Sequence, residues 1–264
     1  MITKLNNLSD DLTGINCKKN PLKELYYPFN TKPKKYPSNL THLTLGKKFN
    51  QPIDNLPKSL KYLIFDNRDG DYQPIDNRDC DFNQPIDNLP NSITHLTFSR
   101  KFNCPVDNLP NSLINLQTGY YFNYPLDNLP NSLKHLTIGD NCDWGGSKYN
   151  YPLDNLPNSI EYLGFTNYSC FDKTLMNLPK SLTTLNLSGY YPISINNLPD
   201  TIENLNLNWE EDWMDSVGPP KCCKEKIYKL PKNIKNINIR NMSEIIQLDF
   251  NDLNKLHEEI NNKH

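Results

Sequence analysis

The stretch FNQPIDNLPNSITHLTFS, residues 82–99, decides the fold, because the chain keeps repeating it. Near-copies stand at 49–66 (FNQPIDNLPKSLKYLIFD), 102–119 (FNCPVDNLPNSLINLQTG) and 122–139 (FNYPLDNLPNSLKHLTIG). Working outward, the Leu-Pro phrase begins again at Leu56, Leu89, Leu109, Leu129, Leu156, Leu178, Leu198 and Leu230, with a variant at Tyr36-Pro37. Four of the eight steps between these points are 20 residues, and the longer ones are that unit plus an insertion. A fixed period of this length marks a solenoid, here of about nine to eleven units.

Each unit carries the pattern LxxLxL: Leu40-Leu43-Leu45, Leu60-Leu63-Phe65, Ile93-Leu96-Phe98, Leu133-Leu136-Ile138, Leu182-Leu185-Leu187, Ile202-Leu205-Leu207 and Ile234-Ile237-Ile239. The last two apolar positions are two apart, so both lie on one face of a short strand. One such strand cannot bury its face alone. Stacked in parallel, one per unit, the strands form a continuous apolar column and satisfy each other's backbone groups. Pro52 and Pro57 lie outside the strand and argue against a full helix behind it, since proline removes a donor and breaks helix interiors. Extended segments and tight turns are expected on the convex side. Phe49, Phe82, Phe102, Phe122 and Phe171 read as a stacked core spine. Asp54, Asp87, Asp107, Asp127 and Asp154 invite a metal ladder, but Asp and Asn hold turns by accepting nearby backbone N–H groups, and that is the expected role.

Residues 1–35 read as an N-terminal cap of degenerate repeats, with Leu22-Leu25-Tyr27 and Leu12-Ile15-Cys17 as worn copies of the pattern. Residues 36–240 form the solenoid, and 241–264 a C-terminal cap. In that cap Ile245-Leu248-Phe250 repeats the apolar pattern, and Leu253, Leu256 and Ile260 share one face of a short capping helix. Three insertions break the rhythm: Asp66–Asp81, the segment around Asp143–Gly146, and Trp209 to about Lys226. The first is rich in aspartate, yet its spacing matches no EF-hand loop. Trp144, Trp209 and Trp213 all lie in the insertions.

Hydrophobic residues make up 36% and charged residues 22%, with a mean hydropathy of −0.71, polar for a globular domain but rich enough in Leu, Ile, Phe and Tyr to exclude disorder. No run approaches the roughly 18 apolar residues of a membrane span, and the first residues lack a signal stretch. A soluble, cytoplasmic chain with no membrane partner is expected. The net charge is −2, and only Lys18, Lys19, Lys32, Lys34 and Lys35 form a local basic group. Nucleic-acid binding rests on neutralising phosphates, so that class is disfavoured. Seven cysteines with no CxxC spacing read as reduced thiols, and neither a metal nor a cofactor is expected.

On the strands, the third and fifth positions of LxxLxL should face outward. The third-position column reads His42, Tyr62, His95, Asn115, His135, Tyr162, Thr184, Asn204, Asn236, and the fifth runs from Thr44 through Ile64 to Asn238, with no Lys, Arg, Asp or Glu in either. Rings with polar tips suit protein recognition. His42, Tyr62, His95, Asn115, His135 and Tyr162 are therefore the candidate partner-binding residues, together with the three tryptophans, a residue type enriched at hot spots. His95 and His135 are two repeats apart, about 10 Å, too far to share a zinc ion. No acid, base and nucleophile leave the consensus together, as an enzyme of the parallel β-helix type would require.

The unit at Phe82–Ser99 resembles the FNIP repeat, a family abundant in social amoebae and in giant viruses of amoebae. The resemblance runs from about Tyr36 to Arg240 and implies a leucine-rich-repeat-like solenoid. If the source is viral, the host cytoplasm is the implied compartment. Some members carry an F-box before the repeats and would serve ubiquitin ligases. Here Tyr27-Pro28-Phe29 already looks like repeat, so that role would act only through a partner. The family supplies no catalytic residues. The expected function is a non-catalytic protein-interaction scaffold. A ubiquitin-ligase substrate receptor and a self-associating structural component are the alternatives. The uneven insertions argue against regular end-to-end stacking and point to a monomer.

Overall fold

From Pro37 to Pro231, each unit enters the sheet through the same tight turn. In the segment LPxSL the backbone N–H of Leu60 donates to the Pro57 carbonyl at 3.0 Å, and Leu113 and Leu133 repeat this onto Pro110 and Pro130 at 3.0 Å. Proline opens the turn without a donor to strand, and the leucine that closes it drops into the core. The computed structural model describes residues 3–4, 23–65, 82–140, 147–166, 169–188, 197–208, 230–240 and 245–248.

Among these residues lies one sheet of 12 strands in sequence order. The strands are β1 (Thr3–Lys4), β2 (Glu24–Tyr27), β3 (His42–Leu45), β4 (Tyr62–Phe65), β5 (His95–Thr97), β6 (Asn115–Gln117), β7 (His135–Ile138), β8 (Tyr162–Phe165), β9 (Thr184–Ser188), β10 (Asn204–Asn208), β11 (Asn236–Arg240) and β12 (Ile245–Leu248). Neighbours from β1 to β11 pair in parallel without a slip in register: Leu43 faces Leu63, Leu63 faces Leu96, and the row continues through Leu116, Leu136, Leu163, Leu185 and Leu205 to Ile237. A slip of one residue would turn every leucine outward, so the buried face fixes the register. The described residues contain no helix, as the prolines require.

The apolar pattern of Ile245-Leu248 suggested one more repeat, but β12 runs antiparallel to β11. A four-residue gap separates the two strands, enough for a reversal and far too little for a parallel crossover. The helix expected within 252–261 and the pattern at Leu12, Ile15 and Cys17 lie outside the described residues.

Behind the sheet, the expected phenylalanine spine is present and is longer than the motif indicated. Ring centroids follow one another at 6.2 Å (Phe49–Phe82), 6.1 Å (Phe82–Phe102) and 6.2 Å (Phe102–Phe122). Tyr149 then fills the gap to Phe171, at 6.1 Å from Phe122 and 6.2 Å from Phe171. Three hydrogen-bond ladders lock each unit to the one before. The asparagine after each ring accepts the backbone N–H of its counterpart one unit on: Asn50 from Asn83, Asn83 from Asn103, Asn103 from Asn123 and Asn123 from Asn150, at 2.8–3.1 Å. The serine of LPxSL donates to the carbonyl of the previous unit's first apolar residue, as Ser92 to Leu60 and Ser112 to Ile93, both at 2.7 Å.

The aspartates sit in turns, as expected, but their described partner is not local backbone. Asp87, Asp107, Asp127 and Asp154 each accept from the Asn side chain of the next unit (Asn108, Asn128, Asn155 and Asn177) at 2.9–3.2 Å. An amide between successive carboxylates lets like charges stack at repeat spacing.

Gly119 marks the tightest backbone approach. A Cβ there would collide with the Ser99 carbonyl oxygen and stand 2.8 Å from its carbon. Gly119→Ala is expected to lower unfolding free energy by about 1–3 kcal/mol, as overpacking does. Urea unfolding would read it, and an unchanged midpoint would mean the two turns separate freely.

Candidate interaction surface

In each four-residue strand of LxxLxL the fourth position is buried and the third faces solvent, giving burial patterns such as iBiB in β3 and eBiB in β7. His42, Tyr62, His95, Asn115, His135 and Tyr162 are thus brought into one outward column, each paired in register with the next. Trp144, Trp209 and Trp213 lie outside the described residues. The insertions that carry them leave the chain after β7 and β10, beyond the C-terminal ends of the strands, as does Asp66–Asp81 after β4.

The column divides in two. Over β3–β5 the rings of His42, Tyr62 and His95 stack face to face, with centroids 4.1 Å apart at 6° and 4.2 Å apart at 22°. Their flat faces cover each other, so the column shows solvent its ring edges. Thr41 and Thr94 fix the edges further. Each hydroxyl lies within hydrogen-bond distance of a carbonyl of the preceding unit, Lys23 at 3.1 Å and Lys61 at 3.3 Å, and closer still to the adjacent Nδ1, at 2.8 Å for His42 and 2.9 Å for His95. With Nδ1 engaged by its threonine, Nε2 is the ring nitrogen left for a partner.

Asn115 ends the stack. Beyond it His135 and Tyr162 meet only at 6.0 Å and 34°. Tyr162 lies down over Gly164, where a Cβ would stand 2.5 Å from its hydroxyl. Over β9–β11 amides replace rings: Asn236 donates to Asn204 at 2.7 Å, Asn204 to Thr184 at 3.3 Å, and Asn238 to Asn206 at 2.7 Å. Glu24 of β2 pairs in register with His42 and closes the column with a carboxylate, a residue hidden from sequence reading by its degenerate unit.

Burial, then the like charges of His135 and His42, hold the His95 imidazole below the ordinary histidine range. A base with a depressed folded pKa binds fewer protons folded than unfolded in that window. Stability should therefore fall as pH drops from the ordinary imidazole range to the folded pKa, then level off. His95→Gln should flatten that part of the profile, measured as urea midpoints between about pH 7 and about pH 5. An identical slope in the variant would remove His95 from the effect.

Among the described residues no group of three or more His, Cys, Asp or Glu is placed to hold a metal ion, and no helix is long and apolar enough to cross a membrane. The family described as FNIP Repeat matches residues 29–68, 82–108 and 105–141. The chain carries FNIP repeats. Their structure here is a leucine-rich-repeat-like solenoid, and the chain is similar to CroV588, described as a novel circular LRR protein, at 29% identity and a TM-score of 0.53. That likeness covers 83% of this chain but 33% of CroV588, so the FNIP solenoid spans about a third of that protein's length. No curated protein matches the chain. The residues that recur from unit to unit form the buried rows and the ladders, while the outward columns vary.

Proposed function

We propose that this chain is a non-catalytic scaffold that binds a protein partner through its exposed strand face, its tryptophan-bearing insertions, or both. The supporting observation is the outward column itself, a regular row of ring edges and amides held in register by a rigid core. Such a preorganised face loses little entropy on binding. The proposed setting is the cytoplasm, with a monomeric chain and neither nucleic acid nor membrane as partner.

The test is affinity capture from amoebal lysate with three folded baits: the wild type, a strand-face variant (His95→Ser, His135→Ser, Tyr162→Ser) and an insertion variant (Trp209→Ser, Trp213→Ser). A partner lost with the strand-face variant supports the proposal. Ligase subunits among the captured proteins would favour the ubiquitin adaptor. Capture of nothing but the chain itself would overturn the scaffold reading in favour of self-assembly.

A further inference from the structure

The β3–β5 part of the face differs from the rest in both chemistry and charge. At its centre stands Ile64, 37% exposed, in register between Thr44 and Thr97. Among the strand residues whose burial is described, it is the one large exposed hydrophobic. Beside it run the edges of His42, Tyr62 and His95.

The surroundings are cationic. Described residues 23–104 hold ten Lys and Arg against three Asp and Glu, whereas those from 105 onward hold seven against eight. Residues 66–81, with six Asp and two Arg, bring the net charge of 23–104 from +7 to +3. Farther along, lysines at the N-terminal edge of the sheet meet a carboxylate on the adjacent unit: Lys134 with Glu161 at 2.8 Å and Lys235 with Glu203 at 2.9 Å. Lys61 occupies the same position between Thr41 and Thr94, with no acid on either side. Lys58 and Lys61 are exposed on this edge, and Lys48 on the opposite one.

We propose that this patch docks an acidic peptide segment of a protein partner, anchored by a tryptophan or tyrosine. The anchor's apolar body lies on Ile64, and its polar end meets the ring edge of His42 or His95. Flanking carboxylates reach Lys58 and Lys61 on one side and Lys48 on the other. Glu24 at the β2 end repels acids there and sets the segment over β4 and β5. The ring faces are already covered by one another, so flat stacking of a partner ring on this column is not the mode of binding.

This inference rests on the strand-face scaffold reading, and its test separates the two. The probe is a fluorescein-labelled peptide of Glu, Ser and Gly with one central Trp, titrated with the full chain and followed by anisotropy. Two control peptides carry Ala in place of Trp or Lys in place of Glu. Both controls should bind about tenfold more weakly or worse. Lys58→Glu with Lys61→Glu should weaken the probe about tenfold, and Ile64→Ser about fivefold, while Asn204→Ala with Asn236→Ala leaves it unchanged. All these side chains are at the surface, and an unshifted thermal midpoint shows that each variant folds. Equal binding of the Ala control, or affinity untouched by the Lys58, Lys61 and Ile64 variants, would overturn the proposal. If the probe fails while the strand-face variant still loses its captured partner, the acidic class is wrong and the scaffold stands. If no strand-face variant loses a partner, the strand-face reading itself falls.

Discussion

Phe102→Ala lowers unfolding free energy by about 3–5 kcal/mol, among the largest losses expected from truncating one core side chain. Phe102 is fully buried, 4.1 Å from Phe98 and sandwiched in the spine between Phe82 and Phe122. The void cannot collapse easily, because the asparagine ladder holds Asn83, Asn103 and Asn123 at fixed spacing beside it. Chemical unfolding followed by circular dichroism would measure the loss, and a value below about 1 kcal/mol would show that the units close over the gap. Tyr149→Phe is the matched control. Burial drives the Tyr149 hydroxyl far above the ordinary phenol range, and its contact with the Pro152 carbonyl is long, at 3.5 Å. Removing that hydroxyl should change stability little.

Arg100→Met is expected to cost a similar amount, about 3–5 kcal/mol, for an electrostatic reason. The Arg100 guanidinium stands 3.6 Å from Asp140, whose side chain is 1% exposed, and lies over the Tyr120 ring at 4.8 Å. Met keeps the apolar stem but leaves a buried carboxylate without this cation. Adding Asp140→Asn should recover part of the loss, because the stranded charge goes too. A double variant no more stable than the single one would show that the pair is not coupled.

The strands, their parallel order and the outward column were legible because Leu43, Leu63 and Leu96 recur with a two-residue partner that admits only one buried face. Proline at 52 and 57 rightly excluded helices from the described convex side. The spine was only partly legible: Tyr149 carries it past the 141–146 insertion, yet a tyrosine after Ser-Lys does not look like the phenylalanine of the motif. The asparagine after the spine rings works across units, a distance of about 20 residues that no local rule reads. At the site, residue identities were legible and their arrangement was not. The stacking of His42 on Tyr62, and the Lys23 and Lys61 carbonyls that hold the threonines beside His42 and His95, depend on strand neighbours supplied from other units.

The one-way ladders have a consequence for how such a chain changes length. From Phe82 to Phe122, each unit shows its successor the same asparagine oxygen and main-chain carbonyl that it grips on its predecessor. A unit copied or excised whole therefore restores an identical junction, and the molecule behaves like a row of interlocking tiles. Gene duplication can extend or shorten the row without redesigning any joint, and only the sequence of outward side chains is rewritten.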